Sequence, residues 1–217
     1  MRFVGMCVIG GIALAWLCGG VIVVARGLRR PWNWRTPASI AAGIFCLYGI
    51  AGFFGSGFAS TGGLDWLGAF EWPVGYTSGV VRTHDGKYIV PHEPTDRIQI
   101  YDANLHFLRG WRVAAGSGAL TADVDADDHI HAYVARGDWH LVYDTDGRIL
   151  SQSHYDPRQS PGVPANAISV RVPTRWWLWP LTGPFYGWLC AMVFLALFFA
   201  TGRRGRNKLI VRPARSA

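Results

Sequence analysis

Residues 85–108, DGKYIVPHEPTDRIQIYDANLHFL, align without a gap on residues 127–150, DDHIHAYVARGDWHLVYDTDGRIL, at a constant offset of 42. The aligned pairs include Asp85 with Asp127, Tyr101 with Tyr143 and Leu108 with Leu150. Both copies contain short runs of β-branched and aromatic residues, and Asp-Gly dipeptides at 85–86 and 146–147 indicate tight turns. A period of about 40 to 45 residues is the length of one small four-stranded sheet. The sequence therefore predicts an all-β domain over residues 78–154, built from two antiparallel units.

The run RIQIYD at residues 97–102, followed by FLRGW at residues 107–111, resembles the strand signature of NHL repeats. Residues 121–133 resemble the start of a further unit, in which an Asp-rich turn precedes a strand. The resemblance implies two β-propeller-blade-like repeats and a role in protein or ligand recognition. Closed propellers have roughly 4 to 8 blades, whereas this chain has two units. The domain is therefore expected to be either a compact two-sheet module or a surface that a partner completes.

Three long apolar stretches lie outside this domain, and none of them contains Asp, Glu, Lys, Arg or His. They run over residues 3–25, 38–58 and 183–201. A helix rises about 1.5 Å per residue and the hydrocarbon core is about 30 Å thick, so a span needs roughly 20 apolar residues. We therefore predict transmembrane helices at 1–25, 38–58 and 183–201, and the fold class membrane α plus all-β. For the first stretch we expect a retained anchor in preference to a cleaved signal peptide.

Basic residues predict the orientation of these spans. The loop at residues 26–37 has four Arg and the tail at residues 202–217 has six Lys or Arg, with no acid in either segment. Residues 59–182 contain all 14 acidic residues against ten basic ones, a net charge of −4. Because Lys and Arg in short loops stay cytoplasmic, we expect the N-terminus outside, the C-terminus inside and the β domain in the periplasm or extracellular space of a bacterial inner membrane. The basic segments are expected to contact anionic lipid headgroups, and no nucleic-acid platform accompanies them.

Aromatic residues are concentrated on both flanks of the β domain. Residues 59–77 form a predicted interfacial segment, and residues 155–182 a Pro- and Trp-rich linker. Such residues are typical of membrane interfaces and of partner-binding strips. The expected membrane or partner contacts are Trp66, Phe70, Trp72, Trp176, Trp177 and Trp179.

One cluster of His and Asp residues could hold a metal ion. His129 and His131 alternate on a predicted strand, so they share a face, and acidic residues lie beside them in sequence. Two imidazoles with a carboxylate suit zinc or copper, and we name His129, His131, Asp125 and Asp127 as candidate ligands. The alternatives are solvent-facing polar positions, or an Asp-x-Asp-x-Asp calcium loop, although that loop lacks the Gly and the final Glu that calcium loops use.

The apolar stretches themselves carry few polar features. Ala51, Gly55 and Ala59 have a small-xxx-small spacing that predicts close helix packing. All four cysteines lie in the predicted spans, so the β domain has no disulfide. No nucleophile elbow, phosphate loop or Cys-x-x-Cys pair is present, and no cofactor is expected.

These features favour a non-catalytic accessory or assembly subunit of a larger membrane complex, for which a respiratory or photosynthetic complex would be a natural host. In this interpretation the β module contacts other subunits of the complex. An extracytoplasmic sensor or ligand-binding protein is the first alternative. A metal-dependent enzyme built on the His and Asp cluster is the second.

Overall fold

A computed structural model describes residues 18–22, 25, 35–62, 70–113, 118–156 and 162–203. Within them the elements are helices α1 (Arg35–Ser60) and α2 (Pro184–Arg203), two 3-10 helices (Glu93–Thr95 and Trp176–Leu181), and the strands β1 (Tyr76–Arg82), β2 (Tyr88–His92), β3 (Arg97–Tyr101), β4 (Phe107–Arg112), β5 (Leu120–Val124), β6 (Ile130–Val134), β7 (Trp139–Tyr143), β8 (Ile149–His154) and β9 (Ile168–Arg171). The chain divides into two compact units. Gly55–Pro184 is the β unit, and Met1–Phe54 with Phe185–Ala217 is the helical unit.

The β unit consists of two antiparallel sheets, in the orders β4-β3-β2-β1-β9 and β5-β6-β7-β8. The sequence repeat is reproduced in the strands, because β2, β3 and β4 fall on β6, β7 and β8 at the same offset of 42. The register repeats as well, since Tyr88 pairs with Tyr101 and Ile130 pairs with Tyr143. Each copy also has one register shift at the corresponding place, after Ile100 and after Val142. Two antiparallel sheets of an all-β core are thus present as expected.

The core between the two sheets is made by alternate residues of each strand. Ile89, Ile98 and Ile100 come from the first sheet, and Ala132 and Leu141 from the second, all of them buried. The alternation follows the period of two along a strand, in which successive side chains point to opposite faces. Burying these aliphatic faces supplies the main stabilisation of the module.

The other face of the first sheet is covered by the segments that flank the repeats. Trp72 and Gln99 exchange two hydrogen bonds, from the Trp72 amide to Gln99 Oε1 at 2.7 Å and from Gln99 Nε2 to the Trp72 carbonyl at 3.0 Å. The segment predicted as a linker contributes β9, which pairs with β1 through Tyr76 and Arg171. The central strands β2 and β3 of the first sheet are consequently buried on both faces.

The free face of the second sheet is polar instead. Its rows are Thr121, Tyr133, His140 and Ser153, and then Asp123, His131, Val142 and Ser151. The corresponding positions of the first sheet include the buried Ile89 and Ile98, where the second repeat has His131 and His140. A polar outer face is what a terminal repeat needs for solubility, so the stack of sheets ends here.

The helices require a correction to the expectation of three transmembrane helices, which is not supported. Among the described residues one helix is long and apolar enough to cross a membrane, Pro37–Ser60, with a mean hydropathy of 1.8. The apolar part of α2, Pro184–Ala200, is shorter than a full span. Most of the first predicted span, 1–25, lies outside the described residues. Length and apolar composition alone do not distinguish a span from the core helix of a soluble protein, which meets the same criteria.

Within the helical unit, α1 and α2 pack closely at two glycines. A methyl group on Gly187 would lie 2.8 Å from the Gly49 carbonyl oxygen, and one on Gly49 would lie 2.7 Å from the Gly187 carbonyl oxygen. Cys46, Ile50 and Ala191 are buried beside this crossing. The helices therefore meet at small residues, as spans or core helices do when backbones approach.

Candidate functional site: a histidine-rich turn on the second sheet

Four hairpin turns of the β unit are closed by the same kind of hydrogen bond, from backbone amides to a side-chain oxygen. The residue after the first strand accepts hydrogen bonds from the backbone amides of later turn residues, as Asp102, Asp125 and Asp144 do through Oδ1 at 2.8 to 2.9 Å. Thr83 replaces the Asp in the first turn and accepts from the Lys87 amide. Such Asx and Thr turns hold a backbone turn without requiring a ligand. The aspartates of this position therefore have a structural role.

The turn that begins at Asp125 differs from the other three in its side chains. His129 occupies the fifth place and His131 the seventh, where the other turns have Ile89, Leu108 or Leu150 at the seventh place. His129 Nδ1 and His131 Nε2 each lie 3.1 Å from Oδ2 of Asp125. Two imidazoles thus converge on one carboxylate oxygen. His129 precedes β6 and is not on the strand with His131, yet the two rings reach the same atom.

The contact of His131 continues into a row of stacked rings across β6 and β7. His131 Nδ1 and His140 Nε2 share a hydrogen bond of 2.9 Å. The ring of His140 stacks on Tyr133 at a centroid distance of 4.6 Å, with 4° between the planes, and Tyr155 meets Tyr133 edge to face. These contacts fix the orientation of His131 from the side opposite Asp125.

The charges of the cluster follow from these bonds. Burial acts to raise the pKa of Asp125, but the hydrogen bonds from His131, His129 and Asp127 outweigh it and hold the pKa below its usual range. Burial lowers the pKa of His140, and the neighbouring His131 lowers it further. At neutral pH Asp125 is therefore ionised and His140 is neutral, with His131 between them.

Each predicted metal ligand can now be placed. Ligand atoms of Asp125, Asp127 and His129 all lie within 4.8 Å of one another, and His131 joins through Asp125. The sequence pattern singled out these four residues, with His140 as a further possible ligand, but it did not fix where His140 lies. Its place diagonal to His131 depends on the register between β6 and β7, in which His131 pairs with Val142 and Tyr133 pairs with His140.

The predicted aromatic contacts have different environments. Trp176 is 82% exposed, and Phe70, Trp177 and Trp179 are also exposed. Trp72 is partly buried, and its indole Nε1 donates to the Leu181 carbonyl at 3.0 Å, so it has a structural role in the β unit. Trp66 lies outside the described residues.

The predicted helix-packing residues differ in burial along α1. Ala51 is exposed, Gly55 is half-buried and Ala59 is buried. Within the helical unit the close approach is made at Gly49, two residues before Ala51.

A further surface of interest is the outer edge of the second sheet, which the sequence analysis did not identify. Strand β8 pairs with β7 alone among the described residues, and all six of its residues are exposed. It contains Ile149 and Leu150 and has no Lys, Arg, Asp, Glu or Pro. The corresponding edge strand β4 carries Arg109 and Arg112. Charged side chains are one way in which natural sheets protect an edge from pairing, and β8 lacks it.

Comparisons with known proteins identify no family for this chain. No family model matches it, and no curated protein sequence does. One solved structure with a local likeness is the crystal structure of a protein of unknown function from Bacteroides caccae. It is 14% identical with a TM-score of 0.30, and the match covers 35% of this chain and 27% of that chain. That likeness is too weak to support an argument about fold or function.

Proposed function

We propose that the protein is a membrane-anchored, non-catalytic accessory subunit whose β unit binds another protein on the outer side of a bacterial inner membrane. The observation that carries this proposal is the edge strand β8, which pairs with β7 alone among the described residues and has two exposed aliphatic side chains. An extended segment of a partner can add to such an edge as a further strand. The partner is therefore a protein that offers an extended, uncharged segment.

The anchor in this proposal is supported by α1 and by the segment before α2. The span Pro37–Ser60 has the required length and composition, and the basic loop and tail favour a cytoplasmic position for the segments beside the helices. The run Trp176–Trp179 precedes α2 and exposes three indole rings, which suit the headgroup region. We infer that α2 and the apolar segment at 1–25 enter the membrane with α1.

The two repeats give the proposal its recognition module. Their four-stranded meanders have the order of a propeller blade, and we infer from the NHL resemblance that they derive from such blades. One outer face is enclosed by flanking segments and the other is polar. The proposed module is thus complete with two sheets and binds its partner at an edge instead of closing a ring.

The test is a purification of the tagged protein in mild detergent, followed by mass spectrometry of the proteins that migrate with it on a native gel. A photo-crosslinking amino acid at position 150 is expected to capture one partner protein. The same group at position 108 is the matched control, because Leu108 is the repeat equivalent of Leu150 and lies on the edge strand with arginines.

Substitution supplies the second arm of the test. Leu150→Lys places a charge on the open edge, so we expect loss of the co-purifying partner, whereas Leu108→Lys should retain it. A protein that stays alone and monodisperse, with no crosslinked partner at position 150, would contradict the proposed function.

A further inference from the structure

We propose that Asp125, Asp127, His129 and His131 form a binding site for a borderline divalent cation of the zinc or copper class. This site lies in the turn between β5 and β6 and is separate from the β8 edge, so it does not depend on the partner proposed above. The proposal rests on the convergence of ligand atoms, on their supporting contacts and on the contrast with three matching turns.

The ligand atoms are already close to the arrangement that a metal needs. Oδ1 of Asp125 is engaged by the Asp127 and His129 amides, which leaves Oδ2 facing both imidazoles. Bonds of about 2.0 to 2.2 Å to zinc put ligand atoms about 3 to 4 Å apart, and the Asp125, Asp127 and His129 atoms lie within 4.8 Å of one another. Small rotations of these three side chains therefore bring their atoms to bonding distance, and His131 joins them through its contact of 3.1 Å with Asp125 Oδ2.

Contacts behind the ligands hold His131 in a suitable orientation. A metal-binding His usually donates its second N–H to a fixed acceptor. When Nε2 of His131 binds the cation, its proton moves to Nδ1, which then donates to His140 Nε2 at the observed 2.9 Å. The stack of His140 on Tyr133 keeps that acceptor in place. His140 is thus a positioning residue for the site.

The donor set decides the class of cation. Calcium and magnesium prefer oxygen ligands, whereas imidazoles with carboxylates suit zinc, copper and nickel. The side chains of His129 and Asp125 are about two-fifths and one-third exposed, at 39% and 35%, so the ion can enter from solvent. The nearby Asp128 is not counted among the ligands, because its Oδ1 accepts a hydrogen bond from the His84 amide at 2.9 Å.

The other turns show that the cluster is not a by-product of turn formation. The turn at Asp102 repeats the carboxylate and the His, because His106 Nδ1 lies 3.1 Å from Asp102 Oδ2. It has Asn104 in the place of Asp127 and Leu108 in the place of His131. The Thr83 and Asp144 turns have Asp85 and Asp146 in the place of Asp127. Turn formation thus needs only an Asp or Thr at the first place, and His131 is the one proposed ligand found at the Asp125 turn alone among these four turns.

The test is titration of the full-length protein in detergent with zinc chloride, after chelator treatment and with no polyhistidine tag. Calorimetry is expected to give one equivalent of bound zinc, and cobalt chloride should give the visible absorption of a His- and carboxylate-bound ion. The combined His129→Ala and His131→Ala variant should bind no zinc. Both replacements leave the Asp125 turn bonds to backbone amides in place, so the variant can fold.

Two further variants make the result specific. His106→Ala removes the matching imidazole of the Asp102 turn and should leave zinc binding unchanged. His140→Phe keeps an aromatic ring in the stack and removes the acceptor for His131, so affinity should fall about tenfold. Absence of a bound equivalent, or binding that persists in the double His variant, would overturn the proposal.

Discussion

At the scale of single residues, His92 is a buried titratable group of the β unit. Its Nε2 donates to the Thr182 carbonyl at 3.1 Å, and its Nδ1 accepts from the Thr95 hydroxyl at 2.7 Å. The pKa of His92 falls from 6.5 to about 4, mainly because the ring is buried; the bond to Thr182 opposes the change and the charge of Arg97 contributes to it. His92 is therefore neutral in the fold at neutral pH.

This depressed pKa predicts a loss of stability in mild acid. The unfolded chain takes up the proton near pH 6.5 and the folded chain only near pH 4, so the contribution of neutral His92 is complete above pH 6.5 and is lost as the pH falls from 6.5 towards 4. The expected slope is about 1.4 kcal/mol of unfolding free energy per pH unit. Hydrogen exchange of the β2 and β3 amides across this range measures it.

The control compares His92→Gln with His106→Gln. The first variant lacks the buried ionisable group, so its exchange protection should change less between pH 6.5 and 4.5. The second replaces an exposed His and should retain the slope of the natural protein. An unchanged slope in His92→Gln would show that another group carries the acid sensitivity.

Residue patterns in the sequence predicted part of the His and Asp site and missed the rest. The alternation of His129 and His131, with Asp125 four residues before His129, is a local pattern. Residues this close in sequence stay close in the fold, so the pattern can be recognised from the sequence. The pairing of His131 with His140 depends on strand register, and the burial of His92 depends on a flanking segment 90 residues away. Long-range contacts of this kind produce no residue spacing that can be recognised in a single sequence.

At the scale of elements, the hairpin turns make a quantitative prediction. Asp144 Oδ1 accepts from the Asp146 amide at 2.9 Å and the Arg148 amide at 2.8 Å, which closes the β7–β8 hairpin. Asp144→Ala should lower the unfolding free energy by about 1 to 2 kcal/mol, because two amides lose their acceptor. Asp144→Asn keeps an acceptor oxygen and should lose much less. Thermal unfolding followed by near-ultraviolet circular dichroism compares the two, and equal losses would contradict the turn's role.

The helix pair offers a second prediction at this scale. Gly187 meets the α1 backbone at Gly49, so Gly187→Ala should force α1 and α2 apart even though Ala favours helix by about 1 kcal/mol over Gly. Cys46 and Cys190 are buried in the helical unit and report the separation. A thiol-reactive dye should label them at a lower temperature in Gly187→Ala.

Gly57→Ala is the matched control for the helices. Among the described residues no neighbouring group lies within 4 Å of a methyl group at that position, so the substitution should be neutral or slightly stabilising. Equal labelling temperatures for Gly187→Ala and the natural protein would show that the close approach can relax without cost.

The strands of the repeat were the most predictable elements. Their turn dipeptides and β-branched runs lie close together in sequence, and the constant offset of 42 supplied a second copy of each signal. Strand β9 was not predicted, because ISVR at Ile168–Arg171 is only four residues long and lies in a Pro-rich segment. It forms where β1 offers an edge, which is a tertiary effect that overrides local composition.

At the scale of the whole molecule, the two sheets explain why a two-repeat module can exist without a ring. Each small sheet needs a partner for its apolar face, and the two satisfy each other through one shared core. The flanks then cover the first sheet, and polar residues end the second. The sequence left open whether the module is compact or completed by a partner, since the coverage by flanks is visible only in the fold.

The proposed topology is the prediction that tests the molecule as a whole. In a background with all four native cysteines replaced by Ala, Ser151→Cys places a thiol on the exposed strand β8, and Asn33→Cys places one in the basic loop at 26–37. Because basic loops stay cytoplasmic, a membrane-impermeant maleimide applied to spheroplasts should label position 151, and position 33 only after lysis. Labelling of position 33 before lysis would reverse the proposed orientation. Recovery of the protein in the soluble fraction after carbonate extraction would show that it has no membrane anchor. The proposal that β8 binds a subunit of a membrane complex would then fail.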